Sequence, residues 1–532
     1  MPDASGERDR VRSHFGPLER RGVVAGWRGG QIAAVAAGLV VAVGALRADP
    51  GPVGVVTAVA AVATATALAT WPIAGRTAEQ WLPLVVRRAD QVARGTTRTG
   101  SPAPGAGRVV VVAGTGLACA GRARSSRTRA GHGTRTAVRE GPFGGVRIVA
   151  GGPGSPLPGS GVVVDERAGT ATSAVAVRGH NFALLDPADQ DRRVAAWSRV
   201  LAGLARQGGT VHRVQWLESC LPDAGEAVRA YADAHECLDP GSEPGRSYRQ
   251  LLGSVAAGTR RHRVLLCRTV RLHRRGRRGG ARAGDGGLPL VPDSLGREVA
   301  DLCRALRAAD VVVDGVLGPE ALAAVVRESF EPDLAVAGAG MRAAPGTRSH
   351  RAGADGTPPT SPAWPWPMAV EASWDAVRAD ALWHAVYWIA EWPRVDVTPD
   401  FLGPLLFLPV RRTLSVTLEP VPPAEAARQV ARDRTADLAD GELRRRGGFL
   451  VTARQQRERE GAERRDVELA DGHAQYRFSG YLSVTAPDRD GLAEACTAAE
   501  QAAAQARLEI RRLYGEQDLA LGCVLPLGRG LA

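Results

Sequence analysis

Residues Gly29 to Ala74 read GGQIAAVAAGLVVAVGALRADPGPVGVVTAVAAVATATALATWPIA, two apolar runs joined by a tight RADPGP break. Neither run holds a charged residue. At about 1.5 Å per helical residue the first run just reaches across a hydrocarbon core of about 30 Å, and the second spans it with margin. The stretch predicts a transmembrane helical hairpin. Arg8, Arg10, Arg12, Arg20, Arg21 and Arg28 precede the pair and Arg76, Arg87, Arg88, Arg94 and Arg98 follow it, whereas the connecting loop holds only Arg47. By the positive-inside rule both ends lie in the cytoplasm. Trp27, Trp71 and Trp81 fall near the run ends, where an indole buries its ring and hydrogen-bonds at the headgroups, and they read as membrane-interface anchors. Small residues recur every fourth position, Ala34, Gly38 and Ala42 in the first run and Ala61, Ala65 and Ala69 in the second, so the two backbones can pack closely in lipid. An Ala-rich soluble hairpin is the competing reading, since alanine contributes little to insertion. A cleaved signal peptide fits poorly: the preceding polar segment is long, no A-x-A site follows Leu46, and a second apolar run comes directly after.

Most of the chain lies outside that hairpin. With 532 residues there is room for two or three further domains. The formal charge of +12 is carried wholly by arginine, because the chain contains no lysine. An arginine-rich cytoplasmic surface favours anionic headgroups, nucleic acid or acidic proteins, in an order that charge alone does not settle. The cysteines at 119, 220, 237, 267, 303, 496 and 523 are odd in number and form no C-x-x-C pair, which fits reduced core thiols better than a disulfide framework.

Residues 1–28 form a polar cytoplasmic tail, followed by the hairpin at 29–74 and a juxtamembrane helix and linker at 75–107. Within that linker Gln80 to Ala93 places apolar residues on one face with Arg87 and Arg88 opposite, the pattern of a helix leaving the bilayer along its surface. A first α/β soluble domain covers 108–334. It holds strands near 108–113, 144–150, 162–165 and 174–177, a helix at 186–207 opened by Asp186-Pro187 and closed by Gly208-Gly209, and a half-buried strand at 210–218. A helix at 225–236, a strand at 263–272, a helix at 295–309, a strand at 311–313 and a helix at 318–329 complete it. A Gly/Pro-rich linker at 335–367 ends in PPTSPAWPWP, which cannot be a regular central element. The second α/β soluble domain, 368–532, reads as strands at 382–392, 413–419, 475–485 and 508–513, with a helix after Pro422-Pro423, an exposed helical stretch at 443–466 and an Ala-rich helix at 488–506. Neither half shows a regular βαβ series. The fold class expected is α+β: an N-terminal transmembrane hairpin, then a cytoplasmic body of mixed or antiparallel sheets with packed helices.

Several chemistries are excluded or unsupported. A P-loop needs a lysine, and none exists; Schiff-base and lysine-base mechanisms go with it. No serine stands in G-x-S-x-G and there is no H-E-x-x-H. VVVVAGTGLACAG and LAVAGAGMRAAPG imitate a dinucleotide fingerprint, but Cys119 takes the third glycine's place in one and Pro345-Gly346 stops the helix in the other. His235, Glu236 and Cys237 with Cys220 offer metal donors at a spacing that matches no zinc framework. His384, on the strand LWHAVYWIAEW, reads as a satisfied strand histidine. No catalytic, cofactor or metal residue is expected. The arginines of two Gly-rich loops, above all Arg274, Arg275, Arg277 and Arg278, stand as contacts for an anionic partner, against the plainer reading of a solvated loop.

The order of the hairpin, then SLGREVADLCRALRAADVVVDGVLGPEALAAVV at 294–326, FEPD at Phe330 to Asp333, and HAVYWIAEWPRVDVTPDFLGPLL at His384 to Leu406 resembles a family of actinobacterial PrgI-like membrane proteins. These accompany conjugation-type, type IV secretion-like ATPases. Glu391, Trp392, Pro393, Phe401, Leu402 and Pro404 carry the most specific part of the likeness, while the arginine-rich inserts near 121–139 and 274–282 depart from it. The resemblance implies a body similar to the non-motor N-terminal domain of the conjugation ATPase, without catalytic residues. The expected function is thus a structural, two-pass subunit of the cytoplasmic (inner) membrane, oligomeric within a complex, that docks a separate secretion or conjugation ATPase. The alternatives are a type VII secretion membrane-complex component and a membrane-tethered DNA-binding adaptor.

Overall fold

A computed structural model describes residues 29–71, 76–100, 110–111, 142–151, 157–179, 182–205, 210–223, 241–256, 260–272, 293–331, 365–432 and 467–531, together with Phe15 and a few short stretches. The chain opens with three helices, α1 (Gly29–Ala48), α2 (Pro52–Thr70) and α3 (Ala78–Ala93). Strands β1 (Arg98–Gly100), β2 (Val110–Val111), β3 (Val146–Ala150), β4 (Gly161–Asp165) and β5 (Thr170–Arg178) follow. Then come α4 (Pro187–Leu204), β6 (Val211–Pro222), α5 (Glu243–Ala256), β7 (Arg260–Arg271), α6 (Asp293–Ala308), β8 (Val312–Val316) and α7 (Pro319–Glu328). The rest comprises β9 (Ala369–Ala372), β10 (Val377–Ala379), β11 (Leu382–Glu391), β12 (Arg412–Pro420), β13 (Tyr476–Ala486), α8 (Arg489–Gln505) and β14 (Glu509–Arg512).

The architecture is α+β, with two apolar helices ahead of a body built on one large sheet. Its order is β1-β9-β10-β11-β13-β12-β6-β7-β5-β4-β3-β2, with β14 on β11 and β8 on β5. Every pairing is antiparallel except β2 with β3. The two sequence halves on either side of 335–367 therefore lie in a single sheet, joined where β6 pairs β12.

That order is palindromic about the β6/β12 joint, and the path through each half is the same. β5 is flanked by β7 on one edge and by β4 and β8 on the other; β11 is flanked by β13 on one edge and by β10 and β14 on the other. α6 follows β7 and packs on β5, β7 and β8, as α8 follows β13 and packs on β11, β13 and β14. Such a split connection needs a helix to carry the chain back over the sheet, which explains why each half has one long helix in the same place. Charge pairs close both ends of the joint. Glu218 of β6 meets Arg412 of β12 at one end, and Arg213 of β6 meets Glu419 of β12 at 3.2 Å at the other.

Local signals explain the helices. Asp186 caps α4 by accepting from the Asp189 N–H at 2.8 Å, and Asp488 caps α8 by accepting from the Gly491 N–H at 2.7 Å. Gly169, at φ +65°, turns β4 into β5. The helical face of the sheet buries Val162, Val164, Leu266, Leu295 and Leu302 in one half and Tyr387, Leu414, Leu482, Leu492 and Ala499 in the other. Its opposite face buries Leu217, Leu265 and Val386 beneath α7 and the C-terminal segment.

The C-terminal segment crosses that second face from strand to strand, held by side chains the sheet presents. Gln215 donates to the carbonyls of Cys523 and Leu525 and accepts from the Gly528 N–H at 2.9 Å. Thr417 donates to the Arg529 carbonyl at 2.8 Å, Arg213 to that of Leu531 at 2.7 Å, and Arg529 pairs with Asp165 at 2.8 Å. Gln215, Ser415, Thr417 and Thr269 are all fully buried there. They are polar because the strap's backbone needs partners.

Most predicted elements are present within a residue or two. Differences have clear causes. β9 and β10 are short and lie against the linker's end, and α5 was not anticipated because EPGRSYRQLLGSVA carries a proline and two glycines. The predicted helix at 225–236 and the stretch at 443–466 lie largely outside the described residues, as does most of the strand at 108–113. Cys220, Cys267, Cys303 and Cys496 are buried free thiols; burial pushes the Cys267 thiol far above its usual range.

Candidate functional site

The hairpin is built inside out relative to a soluble helix pair. Gly38 and Ala42 of α1, and Gly54, Ala58 and Ala69 of α2, are its buried positions. The large apolar side chains point away: Val40 is 72% exposed, Val53 and Val56 68%, and Leu39, Val41, Val43, Val59 and Leu68 more than half. Contact between the helices is close because the residues are small. A Cβ at Gly38 would lie 2.4 Å from the Cβ of Ala65. Gln31 adds an interhelical hydrogen bond to the Ala69 carbonyl at 2.7 Å. Both helices are long and apolar enough to cross a membrane, with only 11% and 17% of their apolar windows buried. A soluble protein that turned its valines and leucines outward and its alanines inward would forgo about 1.5–3 kcal/mol for each large side chain left in water.

α3 joins this hairpin to the body. Thr77 and Gln80 form its capping box, and Pro83 sits inside it. One face, Trp81, Leu84, Arg87 and Gln91, turns toward the body, while Leu82, Val85, Val86 and Val92 on the other are 49–65% exposed. On the body side, Arg87 reaches Asp518 at 2.9 Å, Gln91 reaches the same carboxylate at 3.4 Å, and Arg76 pairs with Glu516 at 3.2 Å. The Trp81 ring stacks on Trp374 at 5.8 Å between centroids and lies 6.1 Å from Tyr514, with the Arg76 guanidinium 5.7 Å over it. Next, β1 adds to the sheet edge along β9, and Arg98 pairs with Glu371 at 2.8 Å. The seam is therefore a continuous run of contacts from Arg76 to Gly100.

A second attachment lies ahead of the hairpin. Phe15 stacks on Trp392 at 5.1 Å and meets Phe401 at 5.4 Å and Phe478 at 6.3 Å. These three rings also contact one another or share a neighbour, Trp392 lying 5.5 Å from Phe478 edge-on. Both chain segments that flank the hairpin thus touch the body, at opposite ends of β11.

The residues singled out from the sequence fall as follows. Trp71 ends α2 and is 72% exposed. Trp81 is half-buried with its ring on the body, as described. Trp27 and the arginines Arg274, Arg275, Arg277 and Arg278 lie outside the described residues. Trp392 and Phe401 of the EWP and FLGPLL motifs form the walls of the Phe15 socket, and Leu405 is buried against α8. Trp374, Tyr514, Glu516, Asp518 and Phe478 were missed; nothing local marks them, because their partners stand hundreds of positions away in the chain. Among the described residues no cluster of three His, Cys, Asp or Glu side chains is placed to hold a metal ion. No protein-family model matches this chain, and no curated protein matches it either.

Ionisable groups of the body are held by paired charge and by burial. At one end of the joint the Arg412 guanidinium, wholly buried, meets Glu218, whose other oxygen lies 2.7 Å from His262 Nδ1. At the other end burial pushes the Glu419 carboxyl up, but Arg213 and Arg477 outweigh it and hold the group below the usual carboxylate range. Burial, aided by Arg213 and Arg271, depresses His212 to about 4.

Proposed function

We propose that the chain is a non-catalytic, two-pass membrane subunit whose body docks a separate ATPase of a type IV secretion- or conjugation-like apparatus at the cytoplasmic face. The observation that carries the anchoring part is the hairpin's outward-facing valines and leucines around a small-residue seam. A membrane supplies the solvent such a surface needs. The body is held to that anchor by the Arg76–Gly100 seam and by Phe15, so it keeps a set orientation to the bilayer, as a docking platform requires. The absence of lysine removes the phosphate-binding chemistry of a motor from this chain and leaves that task to a partner.

Two measurements test this reading. Asp49→Cys in the α1–α2 loop is expected to react with a membrane-impermeant thiol reagent from outside intact cells; labelling only after permeabilisation refutes the topology. Crosslinking in native membranes, with the trapped partner identified, is expected to recover a conjugation-type ATPase. Recovery of a type VII secretion subunit instead would reassign the apparatus, and recovery of DNA would favour the adaptor.

A further inference from the structure

On the strap face, close to the β6/β12 joint, the sheet changes character. Its apolar floor gives way to a row of hydroxyls that runs across three neighbouring strands, Ser483 of β13, Thr413 of β12 and Ser219 of β6. These line a cavity of about 20 Å³, room for about one water or one ion of similar size, roofed by Leu521, Val524 and Leu525. His384, Arg263 and Arg411 also line it.

Two deeply buried nitrogens there lack partners among the described residues. His384 is 2% exposed; its Nδ1 lies 3.0 Å from the Thr485 hydroxyl, and its Nε2 has no hydrogen-bond partner. This corrects the sequence reading of a satisfied histidine. Arg263 bonds Glu328 through Nη1, yet its Nε is likewise unpartnered. Leaving a buried donor unpaired costs about 1–3 kcal/mol, more for a charged group.

Charge around the cavity is unbalanced in the same sense. Arg261 and Arg263 share Glu328, and Arg327 takes Glu331 and Asp380. Among the described residues Arg411 donates to the backbone carbonyls of Glu328 and Glu331 and to no carboxylate. With Arg412 paired to Glu218, five guanidiniums among the described residues therefore meet four carboxylates, an excess of one positive charge. Burial pulls the Arg411 and Arg263 guanidiniums and the His384 imidazole below their usual ranges, His384 to about 3, so the imidazole is neutral. A neutral imidazole carries one proton, and in the tautomer whose Nδ1 accepts from Thr485 the Nε2–H is the donor turned to the cavity.

We propose that this cavity binds one small monovalent anion, chloride or an ion of its size, held by Arg411, Arg263 and His384 above the Ser219, Thr413 and Ser483 hydroxyls. Every group named can donate, the charge excess among the described residues is one, and no carboxylate is among the residues that line the cavity. The site bridges β11, β13, β12, β6, β7 and the end of α7, so the ion ties both halves of the sheet and the strap together.

The test is the thermal unfolding midpoint of the full chain in detergent, in sodium chloride, bromide, phosphate or gluconate at equal ionic strength. Chloride and bromide are expected to raise the midpoint saturably, by about 1–2 °C at ten times the dissociation constant, over gluconate and phosphate. Arg411→Gln is expected to abolish the difference. Because that variant can fail to fold, crystals of the unaltered protein grown in bromide supply an independent reading, an anomalous peak between His384 and Arg411. Equal midpoints in chloride and gluconate, stabilisation by phosphate alone, or a bromide-free cavity holding only water would each overturn the proposal.

Discussion

Replacing Glu218 by glutamine tests how the two halves of the sheet are held. The carboxylate is 5% exposed and faces an Arg412 side chain with no exposure, whose other acceptor among the described residues is the Leu406 carbonyl. Breaking a buried pair by removing one charge typically costs about 3–5 kcal/mol, because the surviving ion is stranded in low dielectric. The amide still offers Arg412 one oxygen, so the lower end applies, roughly 3 kcal/mol. With a urea m-value of at least about 3 kcal/mol/M for a body of this size, the midpoint should fall by about 0.5–1 M. Chemical denaturation of the detergent-solubilised chain, followed by tryptophan emission, measures it. Trp216 on β6 packs against both helical-face cores and reports on the joint directly. The companion variant, Glu218→Leu with Arg412→Met, removes both charges from a setting already lined by Leu414 and Cys220 and should recover most of the loss. His262 is half-exposed and finds water in its place. The reasoning fails if the single variant unfolds at the wild-type concentration, or if the double variant falls as far as the single one.

Three further outcomes are expected. His212 and His384 have folded-state values depressed to about 4 and about 3, so they contribute fully above the ordinary imidazole range near 6.5, and that stability is lost as pH falls from there toward the folded values. Stability should decline by up to about 1.4 kcal/mol per pH unit for each imidazole over that interval, and His212→Gln should flatten the slope measured by denaturant titration at successive pH. Gly528, at φ +65°, would place a Cβ 2.0 Å from Thr269 Oγ1, so Gly528→Ala should cost at least about 1–3 kcal/mol, with Gly159→Ala, at φ +73° in open space, as the strain-only control read by the same denaturation. Trp81→Ala with Asp518→Ala removes the ring stack and the Arg87 pair, and trypsin should then cut at Arg94 or Arg98 faster than in wild type; unchanged cleavage would mean that β1 alone fixes the seam.

How far the fold could be read from the sequence is best seen on β6. The alternation in TVHRVQWLE predicts a strand with one apolar face, and a strand is there, but Gln215 and Glu218 are as buried as Val214 and Leu217. An edge strand facing water and a central strand facing a polar strap write the same alternation, because the strap's carbonyls need donors just as water does. The pattern therefore locates the strand without revealing that it sits at the joint of two halves. The same blindness hides the candidate sites. Hairpin length, charge asymmetry and small-residue spacing are all local, so the hairpin reads directly. The contacts that make it useful do not: Arg87 meets Asp518, and Phe15 meets Trp392, only after the sheet has closed. His384 shows the point most sharply. Its strand, its burial and its Thr485 neighbour all follow from alternation and pairing, whereas the charge excess around it arises because Arg411, Arg263 and Glu328, from three separated segments, converge over one row of hydroxyls. Convergence of that kind has no period, and so only the folded chain displays it.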